Sequence, residues 1–254
     1  MKIDLSGQLA LVTGGAGQLG RAMVRTLAEC GADVAIHYRS SAAKAEELAA
    51  ELEGIGRRAL AVRADVTDEA SVYAMRDAVG RHFGQLPHIV VANAVEQYTW
   101  TSVLEQPAED YESQFHSCVM QSVYLAKAFV PAMIERKGGR VIGINTECSI
   151  QSFPTQSAYV AGKRGMDGVY RVLAREIGGH GITVNQVAPG WTISDRDREN
   201  GSEISPGYSD AVPLKRRGTD REIANAVAFL ASDLASFITG AFIPVCGGNV
   251  MTAI

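Results

Sequence analysis

The sequence predicts one α/β domain built on a doubly wound parallel sheet with helices on both faces. Short, almost continuously apolar runs alternate with amphipathic stretches along the whole chain. A glycine-rich turn joins the first apolar run to the first amphipathic stretch. The 254 residues suffice for a single large core, and no linker or low-complexity tract interrupts the alternation. Strands separated by helices run parallel, because each helix carries the chain back across the sheet.

Leu9-Ala-Leu-Val12 is the first predicted strand, and the apolar period after the glycine turn predicts a helix over 18–30. Val34-Ala-Ile36 with a helix over 41–55 comes next, then Ala59-Leu-Ala-Val62 with a helix over 68–83. Ile89-Val-Val-Ala92 leads to a long helix over 109–136, and Arg140-Val-Ile-Gly-Ile144 to one over 157–179. Ile182-Thr-Val184 is the sixth strand. A helix over 219–232 then precedes Ala241-Phe-Ile-Pro-Val245. Several of these runs are almost wholly apolar, as strands buried on both faces require. The one composition break, Trp191 to Val212, is rich in Asp, Arg, Ser, Gly and Asn. It is either a disordered loop or an active-site lid. Its place beyond a strand's carboxyl end, where such sheets bind ligands, favours a lid over about 191–212 of a single domain spanning 1–254.

A net charge of −4 with interspersed signs argues against nucleic-acid binding and leaves no polybasic membrane patch. No apolar run approaches the roughly 20 residues of a spanning helix, and the first five residues are no signal peptide. Cys30, Cys118, Cys148 and Cys246 are widely spaced, as expected of reduced thiols in a cytoplasmic protein. They and the five histidines show no metal-ligand spacing, so no metal is expected.

Val12-Thr-Gly-Gly-Ala-Gly-Gln-Leu-Gly20 follows a strand and opens a helix. Its glycines permit a tight turn and let backbone N–H groups approach a pyrophosphate at the helix N-terminus, the Rossmann arrangement. A tight connection with no ligand is the competing reading. The second strand ends at Tyr38-Arg39-Ser40 without the acid that would bind the ribose hydroxyls of NAD. Arg39 instead suits the 2′-phosphate of NADP, unless it is merely solvated. Asp65 is placed either to hydrogen-bond adenine or to cap the following helix.

Tyr159 and Lys163 stand four apart in a helical period and so share one face. A nearby ammonium favours the phenolate and brings the tyrosine proton within reach of acid–base work.

With these landmarks the chain resembles the short-chain dehydrogenase/reductase family over nearly its whole length. The matching residues are Thr13-Gly14 with Gly20, Ala64-Asp65-Val66, Asn93-Ala94, Tyr159-Val-Ala-Gly-Lys163, Asn185 to Gly190 and Gly247-Gly248. Gly181 to Gly190 with Pro213 to Gly218 resembles the 3-oxoacyl-carrier-protein reductase and sugar or alcohol dehydrogenase branches. The resemblance implies that Tyr159 exchanges the substrate proton while hydride moves to or from nicotinamide. Lys163 would hold the nicotinamide ribose and lower the tyrosine pKa. The cofactor set it implies is Gly14, Gly17, Gln18, Leu19, Gly20, Tyr38, Arg39, Ser40, Asp65, Val66, Asn93, Ala94, Tyr159, Lys163, Pro189, Gly190 and Thr192. It implies NADP(H) in preference to NAD(H), a small-molecule or acyl-carrier-linked carbonyl substrate, and a homotetramer packed through the tail 236–254.

Four positions depart from the family pattern. Thr146 stands thirteen residues before Tyr159, where the family has its carbonyl-orienting serine; Ser149 is the nearby alternative. Cys118 occupies the place of the family asparagine in the long helix, and a thiol is a poor donor. Gln18 replaces the middle glycine, and Val95 puts a β-branched residue where glycine lets the backbone approach the cofactor. The leading expectation is an NADP(H)-dependent oxidoreductase. The alternatives are a catalytically impaired scaffold for nucleotide sensing or protein interaction, and a non-redox reaction such as dehalogenation. Tyr98, Trp100, Phe153 and Trp191 line a pocket or simply pack. Arg196, Arg198, Lys215, Arg216 and Arg217 attract an anionic substrate or carrier, or only solvate their loop.

Overall fold

Every residue of β1 (Leu9–Val12) is buried, as its unbroken apolar sequence requires. It lies inside a seven-stranded sheet whose neighbours all pair in parallel. The computed structural model describes residues 2–251. In chain order the first half is α1 (Gln18–Glu29), β2 (Asp33–Tyr38), α2 (Ala42–Gly54), β3 (Ala59–Arg63), α3 (Glu69–Phe83) and β4 (Ile89–Ala92). The second half begins with α4 (Ala108–Gln114), a π-helical turn (Phe115–Met120), α5 (Gln121–Glu135), β5 (Gly139–Ile144), α6 (Cys148–Gln151) and α7 (Ser157–Ile177). It ends with β6 (Ile182–Pro189), α8 (Asp195–Glu199), α9 (Pro206–Ala211), α10 (Asp220–Ala231) and β7 (Phe242–Val245).

The strand order is β3-β2-β1-β4-β5-β6-β7. The chain winds outward from β1 to β3 and returns to β4, so the order reverses between β1 and β4. Ligands bind such sheets outside the strand carboxyl ends at that switch point. One core layer joins Met23, Leu27, Leu48 and Val227 of α1, α2 and α10 to the sheet; the other joins Met75, Phe129 and Tyr170 of α3, α5 and α7.

All seven predicted strands are present, and two elements differ in extent. The sixth strand continues to Pro189, although Asn185 and Gln186 look like a polar stop. Their side chains are satisfied internally: Asn185 Nδ2 donates to Ile238 O at 2.7 Å, and Gln186 Nε2 to Asp167 Oδ1 at 2.8 Å. The helix predicted over 109–136 is broken by the π turn around Cys118. Joined end to end, Ala108–Glu135 is long and apolar enough to span a bilayer, contrary to the sequence expectation. Leu125, Phe129 and Met133 bury its apolar face in the core.

Candidate active site and nucleotide cradle

Gly14 adopts φ 62° in the β1–α1 turn, a left-handed conformation natural to glycine. Its N–H donates to His37 Nδ1 at 2.9 Å, and Gly15 N–H donates to His37 O at 2.8 Å. His37 Nε2 sits 3.1 Å from Ala64 O, so the neutral ring accepts at Nδ1 and donates at Nε2. Burial lowers its pKa to about 4, which keeps this tautomer at neutral pH. One buried histidine thus fixes the ends of β1, β2 and β3 around the glycine turn. At Gly20 a Cβ would lie 2.1 Å from Gly14 O, so only glycine lets α1 start beneath the turn.

A cavity of about 490 Å³ opens over this turn. Gly14, Gly17, Gln18, Leu19 and Gly20 line it on the turn side. Tyr38, Arg39, Ser40, Asp65 and Val66 line it from β2 and β3, and Asn93 and Ala94 from β4. Asp65 does not cap α3. Its Oδ1 accepts from Thr67 N and Thr67 Oγ1, while Asp68 caps the helix through Ala70 N and Ser71 N. Arg39 is exposed but not free, since its two terminal nitrogens donate to the carboxylate of Glu96, one at 2.9 Å. Arg39 is therefore not merely solvated, and the glycine turn opens onto a cavity with this cation at its rim.

The switch point is tied by a buried knot. Thr13 Oγ1 accepts from Asn93 N at 2.9 Å and Ala94 N at 3.0 Å, and donates to Gln121 Oε1 at 2.7 Å. Gln121 Nε2 donates to Ala94 O at 2.8 Å and to Ser117 O within the π turn. Gln121 was not singled out in the sequence, although a buried amide in an apolar helix is itself a signal.

Tyr159 and Lys163 share one face of α7, with Lys163 Nζ 5.7 Å from the Tyr159 ring centroid. Lys163 Nζ donates to Ile144 O at 2.6 Å, which anchors the ammonium at the end of β5. Burial pushes the lysine pKa down. The expected depression of the Tyr159 pKa is not what the site produces. Burial first, then the neighbouring Cys118 and Cys148, hold the phenol above its ordinary value, and Thr146 pulls it back only in part. Tyr159 therefore carries its proton at neutral pH.

Thr146 lies just beyond β5, held by Thr146 N donating to Asn145 Oδ1 at 2.9 Å. Ser149 is no substitute, because its hydroxyl donates to Thr146 O at 2.8 Å in a buried position. Cys118 is buried in the π turn, and it lines neither of the two large cavities. The helix distortion therefore persists without the family asparagine, with Gln121 satisfying the Ser117 carbonyl.

Thr146, Tyr159 and Lys163 line a second cavity of about 520 Å³. Tyr98, Trp100, Phe153 and Trp191 line it too, as do Pro189, Gly190 and Thr192. Tyr159 stacks with Trp100 at 6.0 Å between centroids, and its backbone N–H donates to Tyr98 Oη at 2.8 Å. Gln18, Leu19, Asn93 and Val95 line both cavities, so the two form one trough.

The polar stretch 191–212 contains α8 and α9 and is tied down at several points. Gln18 Nε2 donates to Ile193 O at 2.5 Å, and Arg21 pairs with Asp195. Arg217 is buried beneath it, donating to Asp197 Oδ2 at 2.7 Å and to Thr192 O at 3.0 Å. Arg198 pairs with Asp195 and Asp220, Arg216 with Glu222, and Lys215 donates to Asp210 O. Four of the five basic residues expected to attract an anion are thus engaged within the chain, and Arg196 stays exposed.

Residues 14–249 match a family model described as enoyl-(acyl carrier protein) reductase. A 3-oxoacyl-[acyl-carrier-protein] reductase of Pseudomonas aeruginosa is 37% identical over 251 residues, covering 98% of this chain and all of the relative. A hydroxynaphthalene reductase of Aspergillus fumigatus is 33% identical, covering 97% of this chain and 94% of its own. Among solved structures, a blue fluorescent protein from a metagenomic library in complex with NADPH superposes with TM-score 0.89 at 34% identity, covering 98% of this chain and 100% of that one. A promiscuous reductase that catalyses keto-reduction at C1 during lugdunomycin biosynthesis gives TM-score 0.89 at 32% identity, covering 97% and 99%.

Proposed function

The chain belongs to the short-chain dehydrogenase/reductase family of oxidoreductases, and we propose that it reduces a carbonyl to a secondary alcohol with NADPH, using Tyr159 as proton donor. The observation that carries this reading is the placement of Tyr159, Lys163 and Thr146 in a cavity continuous with the glycine cradle. The residues present fit a dinucleotide. The turn at Gly14 and the contact forbidden to any side chain at Gly20 leave backbone facing the trough, and Arg39 stands at the rim for a 2′-phosphate.

When bound, NADPH supplies the hydride that adds to the carbonyl carbon. Thr146 orients the carbonyl oxygen through its hydroxyl, and Tyr159, kept protonated by burial, gives its proton to that oxygen. The Lys163 ammonium one turn away offsets the phenolate that remains. The alcohol leaves, and a solvent proton restores the Tyr159 phenol. Arg39 would hold the 2′-phosphate in place of its Glu96 partner and so favour NADP(H) over NAD(H).

The stretch 191–212 acts as a lid over the substrate end. Internal engagement of Arg198, Lys215, Arg216 and Arg217 favours a small-molecule substrate over an acyl-carrier-linked one. A homotetramer and a cytoplasmic location accompany the reading as expectations. Tyr159→Phe tests the assignment: turnover of any accepted ketone should fall by roughly 100-fold or more, while NADPH still binds. Unchanged turnover removes Tyr159 from the mechanism.

A further inference from the structure

The wall of the reaction cavity holds a charge that the proposed chemistry does not use. Glu147 directly follows Thr146, is only 3% exposed, and lines the cavity. Its backbone N–H donates to Pro189 O at 2.9 Å, which fixes it between the ends of β5 and β6. Glu147 Oε1 accepts from the Tyr208 hydroxyl at 2.9 Å, and Oε2 accepts from Asn249 Nδ2 at 3.0 Å. Both donors are neutral. None of the ion pairs among the described residues includes Glu147. The other charged residues lining this cavity are engaged elsewhere, Glu96 with Arg39 and Lys163 with Ile144 O.

A carboxylate offers about four acceptor sites, so these neutral donors leave it capacity to accept more. Burying a carboxylate without a cation is unfavourable, and a merely structural role would be served by a neutral side chain. Burial accordingly pushes the Glu147 pKa up, against hydrogen bonding from Tyr208, Asn249 and the Trp191 backbone, which lowers it. Six of the other lining residues are aromatic, with Trp191 edge-on to Tyr208 at 5.5 Å and Trp100 stacked on Tyr159. Such rings recognise an apolar body, and Glu147, the one acid of this lining without a cation partner, then sets the polar requirement.

We propose that Glu147 is the specificity-determining acceptor of this cavity, selecting carbonyl compounds with an aromatic or apolar body and a hydrogen-bond donor, a hydroxyl or protonated amine, close to the carbonyl. Proximity to the carbonyl follows from the adjacency of Glu147 to Thr146, so this inference rests on the carbonyl-reduction reading. A substrate with a free carboxylate at the same place is repelled by the like charge.

Both tryptophans of the chain, Trp100 and Trp191, line the cavity, so ligand binding can be followed by their fluorescence without turnover. The probes are 2-hydroxyacetophenone, phenacylamine, the donor-free isostere propiophenone, and benzoylformate. The wild-type protein should bind the first two at least roughly tenfold more tightly than propiophenone, because an unanswered buried acceptor penalises the donor-free ligand. Benzoylformate should bind most weakly, and kcat/KM with NADPH should follow the same order. Glu147→Met should bring the first three ligands within about twofold of one another while NADPH affinity stays unchanged. If that variant fails to fold, Glu147→Gln keeps the shape and should lose the phenacylamine preference. Equal wild-type affinity for 2-hydroxyacetophenone and propiophenone overturns the proposal, as does a preference that survives Glu147→Met. The predicted binding order without any NADPH oxidation would sink the carbonyl-reduction reading and leave donor selection standing. Turnover without that order does the reverse.

Discussion

Thr13 Oγ1 donates to Gln121 Oε1 at 2.7 Å, joining the end of β1 to the first residue of α5 at the point where the strand order reverses. The same hydroxyl accepts from Asn93 N and Ala94 N, and the same amide donates to Ala94 O. The three chain segments that meet at the trough are thereby held in one buried network. Replacing Gln121 with Leu removes the acceptor of the Thr13 hydroxyl proton and the amide donor to the carbonyls of Ala94 and Ser117. The expected loss is about 1–3 kcal/mol of stability, the usual cost of leaving a buried polar group unpaired, read from urea unfolding. Turnover should fall with it, because the π turn beside Tyr159 loses its support. A variant as stable and active as the wild type would show that the knot is incidental.

His37 makes stability depend on pH in a definite window. Its folded pKa is lowered from 6.5 to about 4, so folding favours the neutral ring. The contribution is fully present above 6.5, declines as pH falls toward 4, and reaches a loss of about 3 kcal/mol below that. The sign follows because the unfolded chain binds the proton more tightly. Comparison of unfolding midpoints at pH 7.5 and 4.5 should show this fall in the wild type and a flatter profile in His37→Gln. Identical profiles would place the pH sensitivity elsewhere.

Gly20→Ala tests the cradle itself. The added methyl meets Gly14 O at 2.1 Å, backbone that cannot step aside without opening the turn. Overpacking of this kind costs about 1–3 kcal/mol, and the displaced amides should weaken NADPH binding by roughly tenfold or more. Retained affinity, measured by nicotinamide fluorescence, would show that the turn does not hold the pyrophosphate.

The sheet was legible because β1 and β4 are wholly apolar and most of the other strands nearly so. Tyr159, Lys163 and the glycine turn were legible because their spacing carries their chemistry. The extension of β6 through Asn185 and Gln186 was hidden, since those polar side chains find partners on Ile238 and Asp167, distant in sequence. The Arg39–Glu96 pair was hidden for the same reason, spanning 57 residues between β2 and the segment after β4. The direction of the Tyr159 shift could not be read from spacing, which reveals the neighbouring lysine but not the burial that outweighs it. Gln121 and Glu147 matter through where the fold puts a single polar group, and no local motif marks either.

The most direct measurement is titration of the purified protein, and of Arg39→Ala, with NADPH and NADH, followed by nicotinamide fluorescence. NADPH should bind the wild type roughly tenfold or more tightly than NADH, as the 2′-phosphate takes the guanidinium from Glu96. Arg39→Ala should erase that difference by weakening NADPH alone. Failure of the wild type to bind either nucleotide would contradict the account and favour a scaffold that has lost its redox chemistry.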